Sequence, residues 1–131
     1  MTYYSHYSKW PESEWYWPNF SPKELASRRE GELKLDLPSL DKLQALRDLL
    51  GVPMYVNSAY RSPEHNAAIG GASNSYHMKG KAFDISVANH NPHVFESAAR
   101  EVGFTGFGFY PQSNFMHIDT GPEREWGRRF K

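Results

Sequence analysis

The chain has 131 residues, with fifteen Lys plus Arg against fifteen Asp plus Glu and no cysteine. That length suits one domain with a real core, and the even charge argues against a generic nucleic-acid binder, which carries an excess of positive charge. Without cysteine there is neither a disulfide nor a thiolate site, so any transition metal must be held by histidine and carboxylate.

The opening run MTYYSHYSKWPESEWYW is aromatic and polar rather than positive and then apolar, so it does not read as a secretory signal. No apolar run approaches the ~20 residues needed to cross a bilayer. The expectation is a chain made in the cytoplasm and not inserted in a membrane. Residues 1–18 are set apart as an aromatic arm, and 19–131 as the domain proper. Two readings of the arm stay open: its rings pack over the domain, or they form a stacking surface for sugars.

Ser21-Pro22-Lys23-Glu24 carries a hydroxyl N-cap, a proline at the first helical position and a glutamate at the third, which predicts a helix to about Glu30. Leu40, Leu43, Leu46 and Leu50 recur at helical spacing, with Gly51 placed to end that second helix. Residues 52–58, VPMYVNS, suit a strand. Ser62-Pro63-Glu64 starts a short third helix that stops at Gly70-Gly71. Residues 72–81 read as a loop and Ala82–Val87 as a strand, with Phe83, Ile85 and Val87 on one face and Ala82, Asp84 and Ser86 on the other. A helix from about Pro92 to Val102 is closed by Gly103. GFGFYPQSNFMHIDTG reads as a glycine-punctuated hairpin, and the charged tail from Glu123 is expected at the surface. These elements make an α+β domain with a small, mainly antiparallel sheet.

Of six histidines, His6, His65, His90 and His93 have no partner at a spacing that suggests a shared ligand, and they read as structural. His77 and Asp84 are seven residues apart across the turn at Gly80. His117 and Asp119 are two apart on a strand-like segment and share one face. Four polar side chains are thus offered to one surface. By themselves such pairs are as compatible with a hydrogen-bonded structural cluster as with a metal site.

The stretch SAYRSPEHNAAIGGASNSYHMKGKAFDI resembles the central signature of the zinc D-Ala-D-Ala carboxypeptidases and their murein endopeptidase relatives. Ser75 through Asp84 matches the family pattern Ser-x-His-x-x-Gly-x-Ala-x-Asp at every defined position. SAYRS is similar to the segment that places an arginine ahead of that motif, and GFGFYPQSNFMHIDTGPEREW resembles one branch's ending. The resemblance spans roughly residues 19–126. It implies a hedgehog/D-Ala-D-Ala peptidase-like fold and Zn2+ held by His77, Asp84 and His117. Such a set leaves one tetrahedral position open, as catalytic zinc sites do.

Relatives often place a Glu, Asp or His base a few residues before the third ligand, where this chain has Gln112, Ser113, Asn114, Phe115 and Met116. Asp119 is therefore the candidate general base. Two alternatives stand beside it: Asp119 orients a ligand histidine, or it exchanges roles with His117. Arg61 is the candidate for binding substrate carboxylate or a developing oxyanion through its planar fork, against a surface ion pair with Glu64. Ser75 either donates a hydrogen bond to substrate or shapes its loop.

The resemblance thus implies a zinc metallopeptidase, carboxypeptidase or endopeptidase, acting on the stem or cross-bridge peptides of bacterial peptidoglycan. The missing leader suits a phage-type lysin or a tail-associated wall hydrolase, part of a phage-like particle. The competing expectation is a catalytically inactive zinc-binding module for wall recognition or assembly.

Overall fold

The computed structural model describes residues 2–131. Of the predicted arm, residue 1 lies outside the described residues. Each α-helix among the described residues opens with the same chemistry, a polar side chain that accepts an N–H of the first turn and a proline just inside it. Ser21 opens α1 (Pro22–Leu25), Asp36 opens α2 (Leu37–Leu50), Ser62 opens α3 (Pro63–Ala68) and Asn91 opens α4 (Pro92–Val102). Proline at that place has no N–H to lose. Helices α2 and α4 end at Gly51 and Gly103, as the sequence predicts.

The first helix is shorter than predicted and ends at Leu25 rather than near Glu30. Ala26 is already extended (ψ 159°), and the Leu25 carbonyl accepts the backbone N–H of Tyr60 at 3.1 Å. Leu25 and Ala26 are both buried. The long-range contact overrides the local helix signal, which is worth only tenths of a kcal/mol per residue.

A two-stranded antiparallel ribbon joins β1 (Thr2–Tyr4) to β2 (Leu33–Leu35). The main sheet contains β3 (Val56–Ser58), β4 (Ala82–Ser86), β5 (Gly106–Tyr110), β6 (Phe115–Asp119) and β7 (Arg124–Gly127). Its order is β3-β4-β6-β5-β7, with every pair antiparallel except β5–β7. This is the α+β, mainly antiparallel architecture expected. Two details differ. The strand predicted over 52–58 forms only at its end, because Pro53 has no N–H to offer a ladder and the register against β4 shifts between Val56 and Ser58. The charged tail is not merely surface, since it adds the parallel strand β7.

Alternation along the strands separates two faces. Phe83, Ile85, Phe107, Met116 and Ile118 are fully buried and share one core with Leu40, Leu43 and Leu46 of α2 and Phe95 and Ala99 of α4. Trp10, Trp17 and Phe20 join the same core, and the Trp17 indole N–H donates to Asp41 Oδ1 on α2 at 2.8 Å. The opposite sheet face carries the polar cluster. No helix among the described residues is long and apolar enough to cross a membrane.

Candidate metal centre

Register places the cluster. Ser58, Asp84, His117, Gly108 and Trp126 form one row across all five strands, and Ala82, Asp119, Gly106 and Arg124 form the next. His77 comes from outside the sheet, on the short 3-10 turn Tyr76–Lys79 just before β4. Ser75 caps that turn, its hydroxyl accepting the His77 backbone N–H at 3.2 Å.

His77, Asp84 and His117 are all buried, and each offers a ligand atom within 4.8 Å of the others. His77 Nδ1 lies 2.7 Å from the Ala59 carbonyl, an acceptor only, so Nδ1 carries the hydrogen and donates it. Nε2 is then a bare lone pair. It lies 3.2 Å from Asp84 Oδ1 and is the one buried side-chain polar atom among the described residues without a hydrogen-bond partner. Two lone pairs facing each other at that distance repel unless a cation sits beside them. His117 Nδ1 lies 2.9 Å from the same Asp84 oxygen. Two imidazole nitrogens and one carboxylate converging in this way suit a divalent metal such as zinc.

Burial alone would push the Asp84 carboxyl up, but the hydrogen bond with His117 holds it well below the usual carboxylate range. Burial likewise opposes charge on His117, and hydrogen bonds to Asp119 and Asp84 outweigh it, raising the imidazole above its ordinary value. Asp119 is also opposed by burial yet held well below the carboxylate range by His117 and Arg124.

The group opens onto a cleft of about 360 Å³ lined by Arg61, Gly71, Ala72, Ser75, His77, Asp84, Tyr110, Phe115, His117 and Trp126. A larger hollow of about 650 Å³ near Lys23, Arg28 and Gly31 contains no comparable convergence of ligand atoms. Arg61 donates through Nη2 to Asp84 Oδ2 at 3.3 Å, through Nε to Ser58 at 3.2 Å and through Nη1 to Asn66 at 3.3 Å. It pairs with Asp84 rather than with Glu64. Three of its five N–H donors are used, which leaves two for a group in the cleft.

Asp119 is fully buried and absent from the cleft lining. Its Oδ2 lies 2.6 Å from His117 Nε2, and its Oδ1 accepts the Gly121 N–H at 2.9 Å. Arg124 donates to both oxygens, at 2.9 and 2.8 Å. This differs from a base poised over a water in the cleft, because every acceptor direction is already used. The geometry suits the alternative in which Asp119 orients His117.

Several site residues escape a reading of the sequence. Asn66 braces Arg61 and donates to the Ala72 carbonyl at 2.9 Å. Tyr110 and Phe115 stack at 4.5 Å, and the Trp126 indole donates to the Tyr110 hydroxyl at 2.8 Å. Together with the 4.9 Å contact of Trp126 on His117 they wall one side of the cleft. The detectable signal was alternation: Phe115 shares a strand face with His117, and Gly106, Gly108 and Tyr110 share theirs.

The two glycines make room. A Cβ at Gly108 would come within 2.7 Å of the Trp126 ring, and one at Gly106 would overlap Asp119 Oδ1 and Arg124 Nη1. Gly106→Ala is accordingly expected to destabilise the metal-free protein by about 1–3 kcal/mol, the usual range for overpacking. Urea unfolding checks this.

The sequence is similar to those of known proteins. The chain is 40% identical over 106 residues to the peptidoglycan L,D-endopeptidase MepK of Escherichia coli, covering 75% of this chain and 58% of that protein. It is 39% identical over 101 residues to a probable peptidoglycan L,D-endopeptidase MepK of Haemophilus influenzae, covering 71% and 54%. The zinc D-Ala-D-Ala carboxypeptidase of Streptomyces albus G is 38% identical over 94 residues, covering 69% and 37%. The chain thus matches little more than half the length of the endopeptidases, and less of the carboxypeptidase. The family model described as Peptidase M15 matches residues 18–119 and takes in His77, Asp84, His117 and Asp119, so the chain belongs to the Peptidase M15 family.

Proposed function

We propose that this protein is a zinc-dependent peptidase that hydrolyses an amide bond in the peptides of bacterial peptidoglycan, with His77, Asp84 and His117 holding Zn2+. The observation that carries the reading is the lone pair of His77 Nε2, buried and unpartnered beside Asp84 Oδ1 and His117 Nδ1 at a cleft. Family membership and the names of the relatives supply the substrate class. Endopeptidase action is favoured over carboxypeptidase action, since the relatives named as L,D-endopeptidases match a larger share of the chain.

Zn2+ held by His77, Asp84 and His117 would supply Lewis-acid polarisation of the scissile carbonyl and acidify water at the site. The chain's own residues do the rest. Asp84 and His77 are held in place by Arg61 and by the Ala59 carbonyl. Asp119 holds the His117 ring with Nδ1 turned toward Asp84 and His77. Arg61 directs its two remaining donors at a substrate carboxylate or at the oxygen that gains charge as the amide is attacked. Ser75 shapes the turn that carries His77, and its position in the cleft lining also lets it meet substrate. Trp126, Tyr110 and Phe115 supply the aromatic part of the cleft lining.

Arg61→Lys keeps the charge but cannot reach Ser58, Asn66 and Asp84 together or present a planar fork. Zinc is expected to stay bound while kcat/KM falls about ten-fold or more, roughly 1.4 kcal/mol. Unchanged kinetics would limit Arg61 to a structural ion pair.

A second reading, a binding module without turnover, is favoured by one observation: Asp84 is the sole carboxylate in the cleft lining. Incubating zinc-loaded protein with purified sacculi separates the two. Soluble fragments whose release stops with a chelator support the peptidase, whereas co-sedimentation with sacculi and no released fragment supports the module.

A further inference from the structure

We infer that Arg124 is a positioning residue for the metal centre, fixing Asp119 and, through Asp119, the ring of His117. The inference rests on the zinc reading above. It starts from the tail, which joins the sheet as β7 and brings Arg124 into the row that contains Asp119 and Gly106.

The guanidinium meets Asp119 as a parallel fork, Nη1 on Oδ1 at 2.9 Å and Nη2 on Oδ2 at 2.8 Å. Bidentate pairing fixes the carboxylate plane as well as its position. Oδ2 of that fixed carboxylate is the atom that meets His117 Nε2 at 2.6 Å, so the fork also sets where the opposite ring nitrogen points. The guanidinium is itself held between two rings, 5.0 Å from the centroids of both Tyr76 and Trp126. Tyr76 adjoins His77 on the same turn. The Arg124 head group therefore meets Tyr76, the neighbour of His77, and Trp126, which packs on His117. Gly106 leaves the space that this arrangement needs, since a Cβ there would overlap both members of the pair.

A purely structural Arg124 would pin β7 to the sheet without affecting the metal. The two roles differ in what they do to zinc. Arg124→Met keeps an unbranched stem between the rings and removes the fork, and Arg124→Lys keeps the charge and loses the plane. Zinc affinity is measured by competition with a chromophoric chelator, and coordination geometry by the visible absorption spectrum of the cobalt(II)-substituted protein. We expect Arg124→Met to bind zinc about 10- to 100-fold more weakly, the usual cost of losing a group that supports a metal ligand. Its cobalt bands should move, and Arg124→Lys should fall between it and the unaltered protein. Zinc affinity and cobalt spectra equal to those of the unaltered protein in both variants overturn the inference while leaving the zinc reading intact. If Arg124→Met does not fold, Arg124→Lys decides in the same way. Failure of the unaltered protein to bind zinc more tightly than His77→Ala overturns the underlying reading, and the inference with it.

Discussion

His77→Ala is expected to empty the site of zinc and to remove all measurable peptidase turnover. The imidazole contributes the nitrogen with no other partner in the fold, placed by the Nδ1 bond to Ala59 and by the turn that Ser75 caps. Alanine supplies no ligand and leaves only Asp84 and His117, one short of the three protein ligands that catalytic zinc sites use. The fold itself should survive, because His77 lies on a short turn outside the sheet and outside the apolar core. Elemental analysis and circular dichroism on the same sample check both halves of the expectation. Full zinc occupancy in a folded His77→Ala protein would remove His77 from the ligand set.

Asp119→Asn is expected to lower kcat/KM by about 10²-fold and to weaken zinc binding about 10- to 100-fold, with the metal still bound at high zinc concentration. The substitution is nearly isosteric, so the effect comes from hydrogen-bond bookkeeping. Oδ1 accepts from Gly121 and Arg124, while Oδ2 meets His117 and Arg124. An amide has one acceptor oxygen, and its NH2 must face two donors whichever way it turns. The His117 ring loses its fixed orientation or the Arg124 fork opens. Each outcome leaves a donor unpaired at a cost of about 1–3 kcal/mol. Equilibrium dialysis with zinc and steady-state kinetics check the two numbers. Near-normal turnover with tight zinc would show that the Asp119 charge does not support the centre.

Much of this architecture was legible because the signals were local. Proline-led caps marked the starts of α1 and α3, leucine spacing marked α2, and the ends of α2 and α4 fell at Gly51 and Gly103. The grouping of Asp84 with His117 followed from strand alternation, and the register does place them opposite each other. What stayed hidden depended on contacts distant in sequence. The early end of α1 follows from a backbone bond to Tyr60. Strand β7 has four residues, two of them charged, and gains its place only by parallel pairing with β5. Nothing in its own composition announces that Arg124 and Trp126 reach the His117 side of the sheet. The site of Asp119 was legible but its surroundings were not, since the four donors around it come from β6, the turn after it and β7.

Mass spectrometry of purified muropeptides after incubation with the zinc-loaded protein, run beside His77→Ala, tests the central claim most directly. The unaltered protein should convert a muropeptide into two products whose masses sum to that of the substrate plus one water, with none formed by His77→Ala or in the presence of a chelator. Muropeptides left intact by the zinc-loaded protein, or cleaved equally well by His77→Ala, would contradict a peptidase centred on His77, Asp84 and His117.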